Sequence, residues 1–221
     1  GNSKHGVTLA TARFLGKKPE DVTLITCHLG NGCSMAAIKN GKVIDTSMGL
    51  TPLEGLMMGT RSGDLDPAAV IRLIDLGFST KEVDTILNKK SGLYGVGGIG
   101  SGDMRDNINA AAAGNEQAEL ALKMFARRVI KYIGSYYVLL GGADAVVFTG
   151  GVGEYSVPMR KRIMSGITAL GIELDDKRNE ACFGTEGIIS TDDSKFKAIV
   201  MPTNEELMIA MSTGDPPGRT I

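Results

Sequence analysis

Tryptophan is absent and aromatic residues make up only 5% of the chain. Stacking platforms for single-stranded nucleic acid are therefore not expected. Charge of one sign is lacking too: the formal net charge is −1, with no dominant basic patch, which excludes an electrostatic nucleic-acid binder. Arg127, Arg128 and Lys131 cluster, but on a helix they read as a solvated face. No apolar run approaches the roughly 20 residues that span a bilayer, so no membrane association is expected. Nor does an apolar stretch of the secretory kind follow Gly1-Asn2-Ser3-Lys4-His5. Cysteine is scarce. Cys27, Cys33 and Cys182 are odd in number and lack CxxC spacing, which argues against a disulfide framework or structural zinc. A reducing, cytoplasmic setting is the expectation. The remaining composition, 43% hydrophobic and 22% charged over 221 residues, suits one domain or one large lobe.

Glycine is plentiful, with 30 residues concentrated at turns. The apolar strand Ala145–Thr149 runs into Gly150-Gly151-Val152-Gly153-Glu154, ahead of an amphipathic stretch near Pro158. Glycine lets backbone N–H groups approach an anion, and a helix N-terminus adds favourable partial charge. The spacing fits neither GxxxxGK[ST] nor GxGxxG, so this turn alone is a weak signal. A second glycine turn, Leu29-Gly30-Asn31-Gly32, follows the apolar strand Val22–Thr26. Two such turns suggest a nucleotide held from two sides.

The rest of the pattern supplies a frame. Val7–Leu15 reads as a short helix, and Val22–Thr26, Ser34–Ile38 and Lys42–Asp45 as strands. Asn40-Gly41 joins the last two, as a type I′ hairpin turn requires. Leu50–Asp66 is irregular, and Pro67 opens a helix whose Ala69, Ile71, Leu73, Ile74 and Leu76 are expected to be buried. Thr80–Leu87 reads as another helix, and the glycines of Ser91–Gly102 as a loop. From Asn115 to Leu140, Leu122, Phe125, Val129, Ile133, Tyr136 and Leu140 fall on one helical face. Pro158–Leu170 reads as a helix with Arg160, Lys161 and Arg162 outward. Phe196–Met201 is a last strand and Thr203–Met211 a last helix. A meander, helices, then strand–helix twice is the order of a ribonuclease-H-like lobe: α/β, a mixed sheet flanked by helices. Used twice, that lobe builds the fold of sugar kinases, heat-shock ATPases and actin. One lobe, residues 1–221, is expected here, and no internal repeat supplies a second.

Several blocks resemble the acetokinase family of short-chain carboxylate kinases, acetate kinase among them. They are Thr26-Cys27-His28-Leu29-Gly30-Asn31-Gly32, Asp45–Gly55, Met58-Gly59-Thr60-Arg61-Ser62-Gly63-Asp64-Leu65-Asp66-Pro67 and Asp103-Met104-Arg105-Asp106. Phe148–Glu154 and Pro202-Thr203-Asn204-Glu205-Glu206 complete the set. The resemblance covers the C-terminal half of that family. It implies reversible ATP-dependent phosphorylation of acetate to acetyl phosphate, with ATP/ADP and Mg²⁺, a small carboxylate partner and a homodimer. His28, Leu29, Gly30, Asn31 and Gly32 would face the nucleotide phosphates. Asp103, Met104 and Arg105 would lie along the adenosine, and Gly151, Val152, Gly153, Glu154 and Tyr155 around the base and α-phosphate. Arg61 matches the arginine that steadies the carboxylate and the transferring phosphoryl group, Pro52 a residue of the acyl pocket, and Glu205 the magnesium-associated glutamate. The physics agrees, because phosphoryl transfer is mostly positioning and charge neutralisation, which a planar, permanently charged arginine supplies.

Other readings stay open from the residues themselves. Arg61 could pair with Asp64 or Asp66, His28 could be a satisfied strand-end histidine, Asp103 could cap a helix and Glu205 could sit in a helix first turn. Three departures stand out. Lys4 occupies the place of a family histidine that acts on the transition state, Tyr155 that of an asparagine, and the Ser91–Gly102 segment carries extra glycine. The family's other lobe, with its phosphate loop, second arginine and catalytic aspartate, is not in this chain. A chain of this kind is expected to bind nucleotide and to turn over poorly by itself. A nucleotide-binding or interaction module without catalysis, and a kinase for propionate or butyrate, are the alternatives.

Overall fold

The computed structural model describes residues 2–203. Beyond Thr203 itself, the last helix expected from Thr203 to Met211, with Glu205 in it, lies outside the described residues. The centre of the fold is a mixed six-stranded sheet in the order β3-β2-β1-β4-β6-β5. Its strands are β1 (Leu24–Leu29), β2 (Cys33–Lys39), β3 (Lys42–Thr46), β4 (Ala145–Thr149), β5 (Gly187–Ile188) and β6 (Lys197–Val200). β1, β2 and β3 form the expected antiparallel meander, and Asn40 and Gly41 take φ of 49° and 75° at its second turn. β1, β4 and β6 run parallel, with His28 opposite Thr149 at the end of the ladder. The sheet is that of the ribonuclease-H-like lobe read from the sequence.

Each face of the sheet has its own apolar layer. On one, Ile25, Cys27, Leu29, Val146 and Phe148 pack under α6 (Glu116–Leu140) and α8 (Val157–Ser165). On the other, Leu24, Ala36, Val147 and Ile199 pack with Val7 and Ala12 of α1 (Asn2–Leu15). α6 begins at an Asn115 cap and ends at Gly141, with φ 72°, and all six residues of its expected apolar face are buried. Between β3 and α6 come α2 (Pro67–Asp75), α3 (Thr80–Lys89), α4 (Gly92–Gly97) and α5 (Met104–Ala112). Beyond β4 lie α7 (Gly150–Tyr155), α8 and α9 (Asp176–Ala181). Among the described residues no helix is long and apolar enough to cross a membrane.

Four expectations are corrected. α2 starts at Pro67 with Asp66 as its cap, yet none of its residues is buried; Ile71 is 60% and Leu76 59% exposed. Periodicity gave it an apolar face, but among the described residues nothing buries that face. Part of Ser91–Gly102 is helix rather than loop, because α4 needs its glycines for close approach. A Cβ on Gly92 would sit 2.1 Å from Met58 O, and one on Gly97 2.3 Å from Asn107 Oδ1. The run after β4 is itself the helix α7, and α8 stops at Ser165. Arg160, read as outward, is 1% exposed.

Candidate functional site

β1 and β4 are parallel neighbours, so their C-terminal turns emerge side by side at one edge of the sheet. Ligands of open α/β sheets bind outside the carboxyl ends of the strands. The two glycine turns meet there. A Cβ on Gly150, whose φ is 79°, would lie 2.7 Å from Leu29 O, so no other residue type fits that crossing without strain. A Cβ on Gly30 would have Gly151 N as a neighbour at 3.9 Å. Gly151 itself has open space where its side chain would be.

That space belongs to a cleft of about 760 Å³, within the range of small-molecule and cofactor sites. Of the residues singled out from sequence, the cleft gathers Gly30, Asn31, Asp103, Met104, Arg105, Gly151, Val152 and Tyr155. Leu93, Ile108, Phe125 and Phe183 complete its apolar walls. Phe125 lay on the readable face of α6, whereas nothing in the sequence around Phe183 marked it. Tyr155 and Phe183 stand edge to face, with ring centroids 5.0 Å apart. Asp103 is the helix cap of α5, accepting from Arg105 N at 2.8 Å and Asp106 N at 3.3 Å. Partial burial raises its carboxyl, but those two N–H groups and Arg105 outweigh that and hold it below its ordinary value. Arg105 beside it is exposed, with Nε 3.5 Å from Asp103 Oδ1.

The remaining candidates do not line the cleft. Leu29 and Gly153 are buried, so neither has a side chain to offer. Arg61 has no carboxylate within salt-bridge distance among the described residues. Asp64 accepts from Gly55 N and Tyr132 Oη, and Asp66 accepts from Ala68 N at the cap of α2, so both candidate partners are otherwise engaged. The Arg61 guanidinium instead reaches toward the first glycine turn, with Nη1 3.7 Å from where a Gly32 Cβ would be, and 3.9 Å from Met58 Sδ. Of the two glycines flanking Arg61, Gly59 lines the cleft and Gly63 is required by the backbone. A Cβ on Gly63 would lie 2.4 Å from Leu56 O, and Gly59 backs onto Gly102 O at 3.0 Å. Pro52 is exposed on the irregular segment before α2.

On the α1 side of the sheet, Lys4, His28 and Glu154 share one electrostatic neighbourhood. Burial lowers the His28 pKa, the Glu154 carboxylate opposes this, and Lys4 lowers it further. Burial also lowers the pKa of Lys4. Glu154 is buried and accepts from Thr203 Oγ1 at 3.1 Å. His28 Nδ1 and Thr149 Oγ1, opposite each other in the ladder, are buried and have no hydrogen-bond partner among the described residues. Both residues precede the two glycine turns but lie outside the cleft lining; what the cleft offers a ligand is the glycine backbone of those turns beside apolar walls. A nucleotide therefore fits the residues present. For a metal, no group of three or more His, Cys, Asp or Glu side chains that could hold one occurs among the described residues. Cys27 and Cys33 beside the first turn are fully buried. Burial raises both thiols, Cys33 to about 12, so they pack rather than react.

Residues 1–211 match the acetokinase family. An acetate kinase of Clostridium novyi is 57% identical over 96% of this chain and 53% of its own length. In structure, a Porphyromonas gingivalis acetate kinase superposes with a TM-score of 0.92 at 45% identity, over 96% of this chain and 53% of that one. A propionate kinase of Francisella tularensis gives 0.88 at 44% identity, over 95% and 53%. The chain spans about half the length of the curated relatives it matches.

Proposed function

Because this chain belongs to the acetokinase family, we propose that its cleft is the nucleotide-holding half of a reversible ATP-dependent carboxylate kinase, with acetate as acceptor and acetyl phosphate as product. The observation that carries this reading is the meeting of the Gly30 and Gly150–Gly151 turns at the C-terminal ends of two parallel strands, opening on a cleft of nucleotide size. The glycine turns receive the phosphates and the apolar walls receive the base. Arg61, with no acid partner among the described residues, neutralises charge on the transferring phosphoryl group and the carboxylate. His28, whose charged form burial disfavours, acts as a neutral hydrogen-bonding group beside them. Bound magnesium would supply charge neutralisation on the phosphates. Glu205 is the carboxylate that would hold it, by resemblance. Turnover also draws on the part of the relatives' length that this chain does not span. A cytoplasmic homodimer is part of the proposal, with exposed apolar side chains available on α2 and α6.

Lys4, in place of the histidine expected there, and Tyr155 favour a second reading, in which nucleotide binding persists without catalysis. Calorimetric titration with ATP, and hydroxylamine trapping of acyl phosphate with ATP and acetate, separate the outcomes. Binding with weak turnover, raised by adding the missing half from a relative, is expected. Binding with no turnover even then supports the second reading, and no binding overturns both.

A further inference from the structure

We infer that Arg160 is a positioning residue for the cleft: it fastens the two backbone segments that carry Tyr155 and Phe183, an aromatic wall against which the nucleobase packs. The inference rests on the nucleotide reading above. Arg160 sits on α8, 1% exposed, and its guanidinium is saturated by protein acceptors. Nη1 donates to Gly153 O at 3.0 Å and Glu154 O at 2.9 Å, at the C-terminal end of α7. Nε donates to Asn179 Oδ1 at 2.7 Å, and Nη2 to Asn179 O at 2.9 Å and Cys182 O at 2.5 Å, at the end of α9. A buried cation is costly unless it is fully hydrogen-bonded, and here the negative ends of two short helices meet that demand.

The residues that follow these carbonyls make the wall. Tyr155 comes directly after Glu154, and Phe183 directly after Cys182. Their rings meet at 79°, and Gly184 N closes the join by donating to Glu154 O at 3.1 Å. A Cβ on Gly184, whose φ is 69°, would lie 2.5 Å from the Tyr155 ring, so glycine is what lets the ring rest on this turn. Core packing does not account for the pair, since Tyr155 is 50% and Phe183 63% exposed. Both line the cleft alongside Val152, Ile108 and Phe125, an apolar surface that suits a base and not a phosphate. The Arg160 guanidinium hydrogen-bonds no residue of the cleft lining; it acts through the carbonyls it holds.

Titrating the 221-residue chain with ATP and, separately, with inorganic tripolyphosphate tests this, because only ATP has a base. Phe183→Ala removes half of an exposed wall and is expected to weaken ATP at least tenfold while tripolyphosphate stays within twofold. Arg160→Lys is expected to give the same split, although both rings remain. ATP affinity within twofold of the parent in either variant overturns the inference, as does equal loss of both ligands. Should Arg160→Lys fail to fold, Asn179→Ala, which removes one acceptor, is held to the same split. A parent chain that binds neither ligand removes the nucleotide reading and this inference together. A parent that binds both, with variants that bind as it does, removes only this one.

Discussion

Gly150 and Gly151 are adjacent, yet the structure separates what each does. At Gly151 φ is ordinary and a Cβ meets nothing within 4 Å, so Gly151→Val fits the fold and projects into the cleft. Valine is slightly better than glycine in a helix, so the unliganded stability should change by no more than about 0.5 kcal/mol. At Gly150 φ is 79° and a Cβ would lie 2.7 Å from Leu29 O, a backbone atom that cannot swing away. Gly150→Ala should therefore cost about 1–2 kcal/mol from the left-handed backbone alone, with the clash added to that. Thermal unfolding with and without ATP reads both effects. At a hundredfold excess over Kd, ATP should stabilise the parent by about 2.7 kcal/mol, or about 5–11 °C for a chain of this size. Gly151→Val should melt where the parent melts and lose the ATP shift. Gly150→Ala should melt at least about 2–4 °C lower without ligand. A full ATP shift in Gly151→Val, or an unperturbed melt in Gly150→Ala, refutes the assignment of the two turns.

Burial lowers the His28 pKa, so the unfolded chain binds more protons than the folded one as pH falls below the ordinary histidine value near 6.5. The stability this group contributes is complete above that value and is lost toward the lowered folded pKa. Urea midpoints measured from pH 7.5 to 5 should fall for the parent and fall less for His28→Gln; an equal fall for both refutes this. Cys27, Cys33 and Cys182 are all buried, and burial raises each thiol. Iodoacetamide at pH 8 should leave all three unlabelled by mass spectrometry until urea unfolds the chain, and rapid labelling of native Cys33 would contradict its packing.

The sequence was most readable where local chemistry decides the outcome. Asn40-Gly41 needs positive φ at both positions, Pro67 needs a helix start, and the face of α6 from Leu122 to Leu140 repeats for long enough to leave one solution. Gly30 and Gly151 were legible because glycine turns are local signals, whereas Asp103 read locally only as a helix cap and was singled out for the cleft by resemblance. It was least readable where a partner distant in sequence decides. The apolar face of α2 says that something apolar should cover it, and not what. The helix α4 is hidden because Gly92, at its start, answers to Met58 O, which lies 34 residues back in the chain. Arg160 looked like a surface cation because its acceptors are backbone carbonyls, which every residue carries and no pattern displays.

The parallel pairing of β1 with β4 has a kinetic consequence. Thr23 N and Asp144 Oδ2, which close the far end of that pair, are 121 residues apart in the chain. The β1–β2–β3 meander and the helix α6 are local and can form early, whereas closing so long a loop is slow. Gly30 and Gly151 become neighbours only once that closure is made. Nucleotide binding should thus appear among the last events of refolding, and a ribosome-bound chain that has not yet emerged past β4 should bind none. The ligand then reports the completion of the topology rather than the amount of secondary structure.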